Sequence, residues 1–167
     1  MKTLIRTLLL LTLIVWLGAE VFFPVVAAVT FTQLKADTHL AGQIVGSLLR
    51  ILHGMGLVSG LVAVALLVLA PAWGIYRARS TMAPLALLLV MLGLTCYSQF
   101  VIIPAMEVDR AAAGGVIDAV PKTNPARVHF DTQHNRSTWV EEAVLLLGIV
   151  VVALVAKAET MTAGRNQ

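Results

Sequence analysis

The sequence predicts an all-α, four-helix transmembrane bundle. Three observations point there. Apolar residues make up 59% of the chain and charged residues 13%, against roughly 45–50% and about 25% in soluble domains. Four apolar stretches each approach the roughly 20 residues that cross a bilayer. Basic residues gather beside alternate ends of those stretches. At 167 residues the chain makes one domain, and a soluble fold of that size cannot hide so much apolar surface. The lipid bilayer is its first expected partner.

The first span covers about 8–31, interrupted only by Thr12, Glu20 and Thr30. Lys2 and Arg6 ahead of an apolar run ending near Gly18-Ala19-Glu20 also fit a cleaved signal peptide. The run resumes at once as Val21-Phe22-Phe23-Pro24, however, which places Glu20 inside a span. A polar stretch from Thr32 to Thr38 follows. Asp37 or Thr38 can then cap a second helix, periodic to about Trp73. Its first part, Ala41 to Arg50, should project beyond the hydrocarbon, while about 51–73 crosses.

The third span covers about 83–104, with Pro84 near its start and Pro104 closing it. From 106 to 124 the chain turns polar and contains Gly114-Gly115 and Pro121, which predicts an outer loop with room for a short helix. Asn124 and Pro125 suit the N-cap and first position of the fourth helix, which crosses at about 138–157 and, like the second, overshoots on the outer side.

Lys2, Arg6, Arg77, Arg79, Lys157 and Arg165 fall on one side of these spans, and such residues are retained in the cytoplasm. The opposite side carries Lys35, Lys122, Arg127 and Arg136, the last three interleaved with Asp118 and Asp131. Both termini are expected in the cytoplasm and the chain in a bacterial inner membrane. The formal charge of +3 forms no basic face, so no nucleic-acid partner is expected. Cys96 is the single cysteine, which excludes intrachain disulfides and cysteine-rich metal sites. Ser137 has no paired base of the hydrolase kind, phosphate loops and metalloprotease helices are absent, and no residue is nominated as catalytic.

Ionisable residues inside spans cost roughly 2.5–3.5 kcal/mol each, face the bundle and often carry function. Counting about 1.5 Å per residue from the cytoplasmic helix ends puts Glu20 about 20 Å up, Gln99 and Glu141 about 24 Å, His53 about 30 Å, and Arg50 and His134 about 34 Å. All six fall in the outer half. On the fourth helix Arg127, Asp131, His134, Thr138 and Glu141 share one face by their spacing of three and four, with Ser137 bordering it. Gly42, Gly46, Gly54, Gly56 and Gly60 surround Arg50 and His53, and small residues admit a neighbouring backbone or a flat ligand.

Several of these segments, Trp16-Leu17-Gly18-Ala19-Glu20-Val21-Phe22-Phe23, Gly46-Ser47-Leu48-Leu49-Arg50-Ile51-Leu52-His53, Ile103-Pro104-Ala105-Met106 and Arg127-Val128-His129-Phe130-Asp131-Thr132-Gln133-His134 with Ser137, resemble the transmembrane-protein-205-like family over nearly the whole chain. The resemblance implies a four-helix membrane fold in a domain of unknown function, with Glu20, His53, Pro104, His134 and Ser137 as family positions. It implies no reaction. The order of motifs is also similar to the copper-resistance protein D type of membrane domain.

Three readings of the cluster follow. Its members can pair with one another and fix the register of the bundle. Alternatively His53 and His134 can ligate haem or a divalent transition metal, with Glu20 and Glu141 as further ligands or as carboxylates orienting the rings, and Arg50 and Gln99 beside them. Thirdly, intramembrane Glu and His can mark transport of a small solute, ion or proton, a role for which four spans would form a homo-oligomer. His39, His129 and the methionines 55, 91 and 106 are expected to be surface or packing residues, and Trp16 to pack.

Overall fold

The computed structural model describes residues 2–163, so Arg165 lies outside the described residues. Among these there are helices and no strands. The order is α1 (Lys2–Gln33), α2 (Thr38–Leu69), α3 (Ala78–Tyr97), a five-residue π-helical segment (Ser98–Ile102), α4 (Ile103–Ala112), a 3₁₀ turn (Ile117–Ala119) and α5 (Pro125–Ala163). With α3, the π segment and α4 running as one rod, four helical rods are long and apolar enough to cross a membrane. The chain is a multi-pass membrane protein.

The rods pack α1 on α2, α2 on α3, and α3 and α4 on α5. One end of the bundle, here the terminal end, gathers the start of α1, the 70–77 turn and the last turns of α5. Lys2 Nζ donates to the Gly74 carbonyl at 3.1 Å, and Arg6 Nη2 to that of Ile75 at 3.3 Å. Arg6 Nε lies 3.3 Å from Glu159 Oε2, and the Tyr76 hydroxyl donates to Glu159 Oε1. Burial above all, then the hydrogen bond to Glu159 and its negative charge, push the Tyr76 hydroxyl well above its ordinary pKa, against the pull of Arg6. Four of the basic residues expected on one side, Lys2, Arg6, Arg77 and Arg79, sit in or beside this tie.

Between this end and the midpoint the bundle is dry. Leu9, Leu13, Leu67, Leu88, Met91, Val144, Val151 and Val155 are buried against one another. Trp16 is 1% exposed and seats its indole against α2 where the chain has glycine. A Cβ at Gly56 would lie 2.5 Å from the indole Nε1, and one at Gly60 2.6 Å from its Cζ3. At the opposite, loop end the α1–α2 turn and the 113–124 connection meet through Thr38, whose hydroxyl donates to Asp118 Oδ2 at 2.8 Å.

Caps fall where side-chain chemistry predicts them. Asp37 Oδ1 accepts from Leu40 N at 2.9 Å, and Asn124 Oδ1 from Ala126 N at 2.9 Å. Two boundaries differ from expectation. The second helix stops at Leu69, not Trp73, because Pro71 has no N–H to continue the ladder and Gly74, at φ 60°, lets the chain reverse. The third rod does not close at Pro104. It passes through the π segment, where Ile103 N bonds back to Ser98 O, and continues to Ala112. A proline ring inside an α-helix clashes with the carbonyl four residues back, and the wider π turn directly before Pro104 makes room for it. Residues 106–112 of the expected 106–124 loop are therefore helix, and the turn comes at Gly114 (φ 79°) and Gly115 (φ 96°).

Candidate functional site

The polar residues of three rods converge on His53. Its ring is fully buried. Nδ1 donates to Gln99 Oε1 at 2.9 Å, and Nε2 lies 2.7 Å from Glu141 Oε1. With Nδ1 carrying one hydrogen, the Nε2–Glu141 contact holds one further proton between imidazole and carboxyl. Ser98 Oγ donates to the same Glu141 oxygen at 3.1 Å. Glu141 Oε2 is buried with no hydrogen-bond partner among the described residues.

The hydrogen bonds hold these groups at one level of the bundle, where α2 packs on α3 and α3 on α5. The π segment matters too: Ser98 and Gln99 are its first two residues, and the wide turn lets two consecutive side chains address the same His–Glu pair. On α1, Glu20 is 4% exposed and its Oε1 accepts from Trp16 Nε1 at 3.2 Å.

Above this layer the bundle opens. A cleft of about 550 Å³ lies toward the loop end between α1, α2, α4 and α5. Glu20 and Glu141 line it together with His134, Ser137, Gly42, Gly46 and the rings of Phe23, Phe31 and Phe130. Gly42 and Gly46 have open space where a Cβ would stand, whereas Gly56 and Gly60, lower on the same helix, are filled by Trp16.

The sequence-predicted residues thus divide. His53, Gln99 and Glu141 form one hydrogen-bonded set, and Glu20 joins them at the base of the cleft. Arg50 does not enter that set. It lies at the rim, where its Nη2 bonds Glu107 Oε1 at 2.8 Å, and Arg110 bonds the same oxygen at 3.0 Å. His134 is exposed to the cleft, stacks on Phe130 with ring centroids 6.4 Å apart, and makes no ring hydrogen bond among the described residues. Arg127, one turn before Asp131 on the fourth helix, pairs with Asp118 at 3.2 Å.

Ser98, Asp109, Glu107 and Arg110 were not nominated from sequence. The last three fell in the expected loop, although their spacing and the run of alanines after them are helical signals. Asp109 is buried and its Oδ2 accepts from His129 Nδ1 at 2.7 Å. His129 is therefore a structural partner, consistent with its expected packing role. No group of three or more His, Cys, Asp or Glu among the described residues is arranged to hold a metal ion.

No curated protein and no solved structure matches the chain. A family model does, over residues 11–112, a stretch that takes in the larger part of α1, all of α2 and α3, the π segment and α4. It includes Glu20, His53, Ser98 and Gln99, and ends before α5 with Glu141 and His134. The chain belongs to the family described as Domain of unknown function (DUF4149).

Proposed function

We propose that the loop end of the bundle faces outward from a bacterial inner membrane, with both termini cytoplasmic, and that the cleft binds a small, partly apolar solute which the protein carries or senses. One observation supports this most: a cleft of about 550 Å³, within the roughly 300–1,000 Å³ typical of ligand sites, joins apolar wall such as Phe23, Phe31 and Phe130 to the carboxyl groups of Glu20 and Glu141. The dry packing from Trp16 to Leu9 closes the other end, as an outward-open carrier requires. A carrier of four spans would work as a homo-oligomer. The finer likeness to the transmembrane-protein-205-like family carries the same four-span plan and adds no reaction.

Labelling of introduced cysteines tests the reading. In a Cys96→Ser background, His134→Cys, at an exposed position of the cleft wall, should react with a membrane-impermeant maleimide added to intact cells, and Leu13→Cys should not. A bound solute should protect His134→Cys. Labelling only in inverted vesicles would reverse the orientation, and no labelling on either side would remove the open cleft.

A second reading has its own support, since the His134 imidazole faces the cleft with no ring hydrogen bond among the described residues. Haem or a divalent transition metal would take His134 as ligand, with Glu20 and Glu141 nearby; His53 could join only by giving up Glu141 or Gln99. An absorption spectrum and metal analysis of the purified chain test it. A Soret band or stoichiometric metal lost in His134→Ala would establish this reading, and neither signal would end it.

A further inference from the structure

We infer that the cleft selects an organic cation, whose positive charge rests on Glu20 and Glu141 while its apolar body lies against Phe23 and Phe31. The inference deepens the reading of the cleft as a solute site and rests on it. Six carboxylates line the cleft against two guanidiniums; Glu107 pairs with both of these and Asp118 with Arg127, which leaves four of the carboxylates without a guanidinium among the described residues. Arg50 and Arg110 both bond Glu107 Oε1, at 2.8 and 3.0 Å, and Arg110 also lies over the Phe130 ring, 5.5 Å from its centroid. They close the rim and leave the base acidic.

At the base no ammonium or guanidinium among the described residues meets either carboxyl. Glu20, 4% exposed, receives one neutral donor, the Trp16 indole, at 3.2 Å. Glu141 shares a proton with His53 through one oxygen, while the other is buried without a partner among the described residues. A buried carboxylate short of donors is costly until a positive charge pairs with it, and it offers an anion no donor. Aromatic faces in the wall add attraction for a positive charge.

A bare metal ion fits the arrangement poorly. It needs three or more ligands at short range, and the His, Cys, Asp and Glu side chains provide no such group among the described residues. A cation with an apolar body instead uses the whole cleft. It can hand one charge to the carboxyls without dense coordination.

Equilibrium dialysis of the purified full chain against tetraphenylphosphonium and its isostere tetraphenylborate tests the inference, with empty micelles as the blank. The phosphonium should bind saturably and at least about tenfold more tightly than the borate. Glu20→Gln and Glu141→Gln should each weaken the phosphonium about tenfold and leave the borate unchanged or tighter. Gly46→Trp, which fills the cleft from a position open to a side chain, should abolish binding of both ions. Equal binding of the two ions, blocked by Gly46→Trp, would overturn the cation preference and leave the cleft as a solute site. Binding of neither ion, or binding untouched by Gly46→Trp, would overturn both.

Discussion

His53 on α2 and Glu141 on α5 stand 2.7 Å apart through Nε2 and Oε1, a single contact that locks two rods not otherwise joined by side-chain hydrogen bonds among the described residues. Its cost and benefit are set by burial. A fully buried imidazole is tolerable only because both of its nitrogens are used.

Removing one partner should therefore hurt more than removing both. His53→Ala takes the donor from Gln99 Oε1 and leaves Glu141 with Ser98 alone, and should lower stability in detergent by about 3 kcal/mol. The double variant His53→Leu with Glu141→Leu should recover most of that loss. Thermal unfolding of the three proteins decides it; equal loss in the single and double variants would show the contact to be unimportant.

Trp16 fits only where α2 lacks side chains. Gly56→Ala and Gly60→Ala bring a methyl group within 2.5 and 2.6 Å of the indole and should each cost about 1–3 kcal/mol by overpacking. Gly54→Ala and Gly93→Ala, where a Cβ meets nothing within 4 Å, should be neutral or slightly stabilising. The same melting assay ranks them, and a neutral Gly56→Ala would mean that the indole sits elsewhere.

The tie at the terminal end carries a pH signature. The Tyr76 hydroxyl is raised above its ordinary pKa by burial and by Glu159, so its folded-state value exceeds its unfolded value. Its contribution is fully present below pH about 10 and is lost as pH climbs from there toward the folded value. Stability measured from about pH 8 to about pH 11 should fall at the alkaline end. In Tyr76→Phe the fall should be smaller, against a lower baseline.

Arg50 gives a contrast. Its side chain is 41% exposed and that of Glu107 46%, and exposed ion pairs contribute roughly 0–1 kcal/mol. Arg50→Ala should change the melting temperature little, unlike His53→Ala. A large loss would place Arg50 within the buried set after all.

The membrane fold was legible because lipid imposes a simple rule: apolar runs of bilayer length become helices with every backbone group satisfied internally. Asp37 and Asn124 were legible as caps by the same local chemistry. The site was legible in membership more than in geometry. Glu20, His53, Gln99 and Glu141 stood out as polar residues within apolar runs, but which of them bond depends on how α2, α3 and α5 pack together, and no single helix records that. Arg50 and His134 share the helical faces of their neighbours, yet lie one to two turns further along and reach the rim or the cleft wall. Asp109 and Arg110 were missed because Pro104 reads as a terminator when the backbone ahead of it is assumed to be α-helical.

That assumption fails at Ser98–Ile102, and the failure sets a phase. Each added residue turns the rest of an α-helix by about 100°, so one residue more or fewer in this stretch would swing everything beyond it to a different compass bearing. Deleting Val101 would aim Asp109 away from His129 and move Glu107 out of reach of Arg50, unfastening the upper wall while the lower core kept its packing. The irregular turn acts as a vernier that sets the two halves of one rod to different partners.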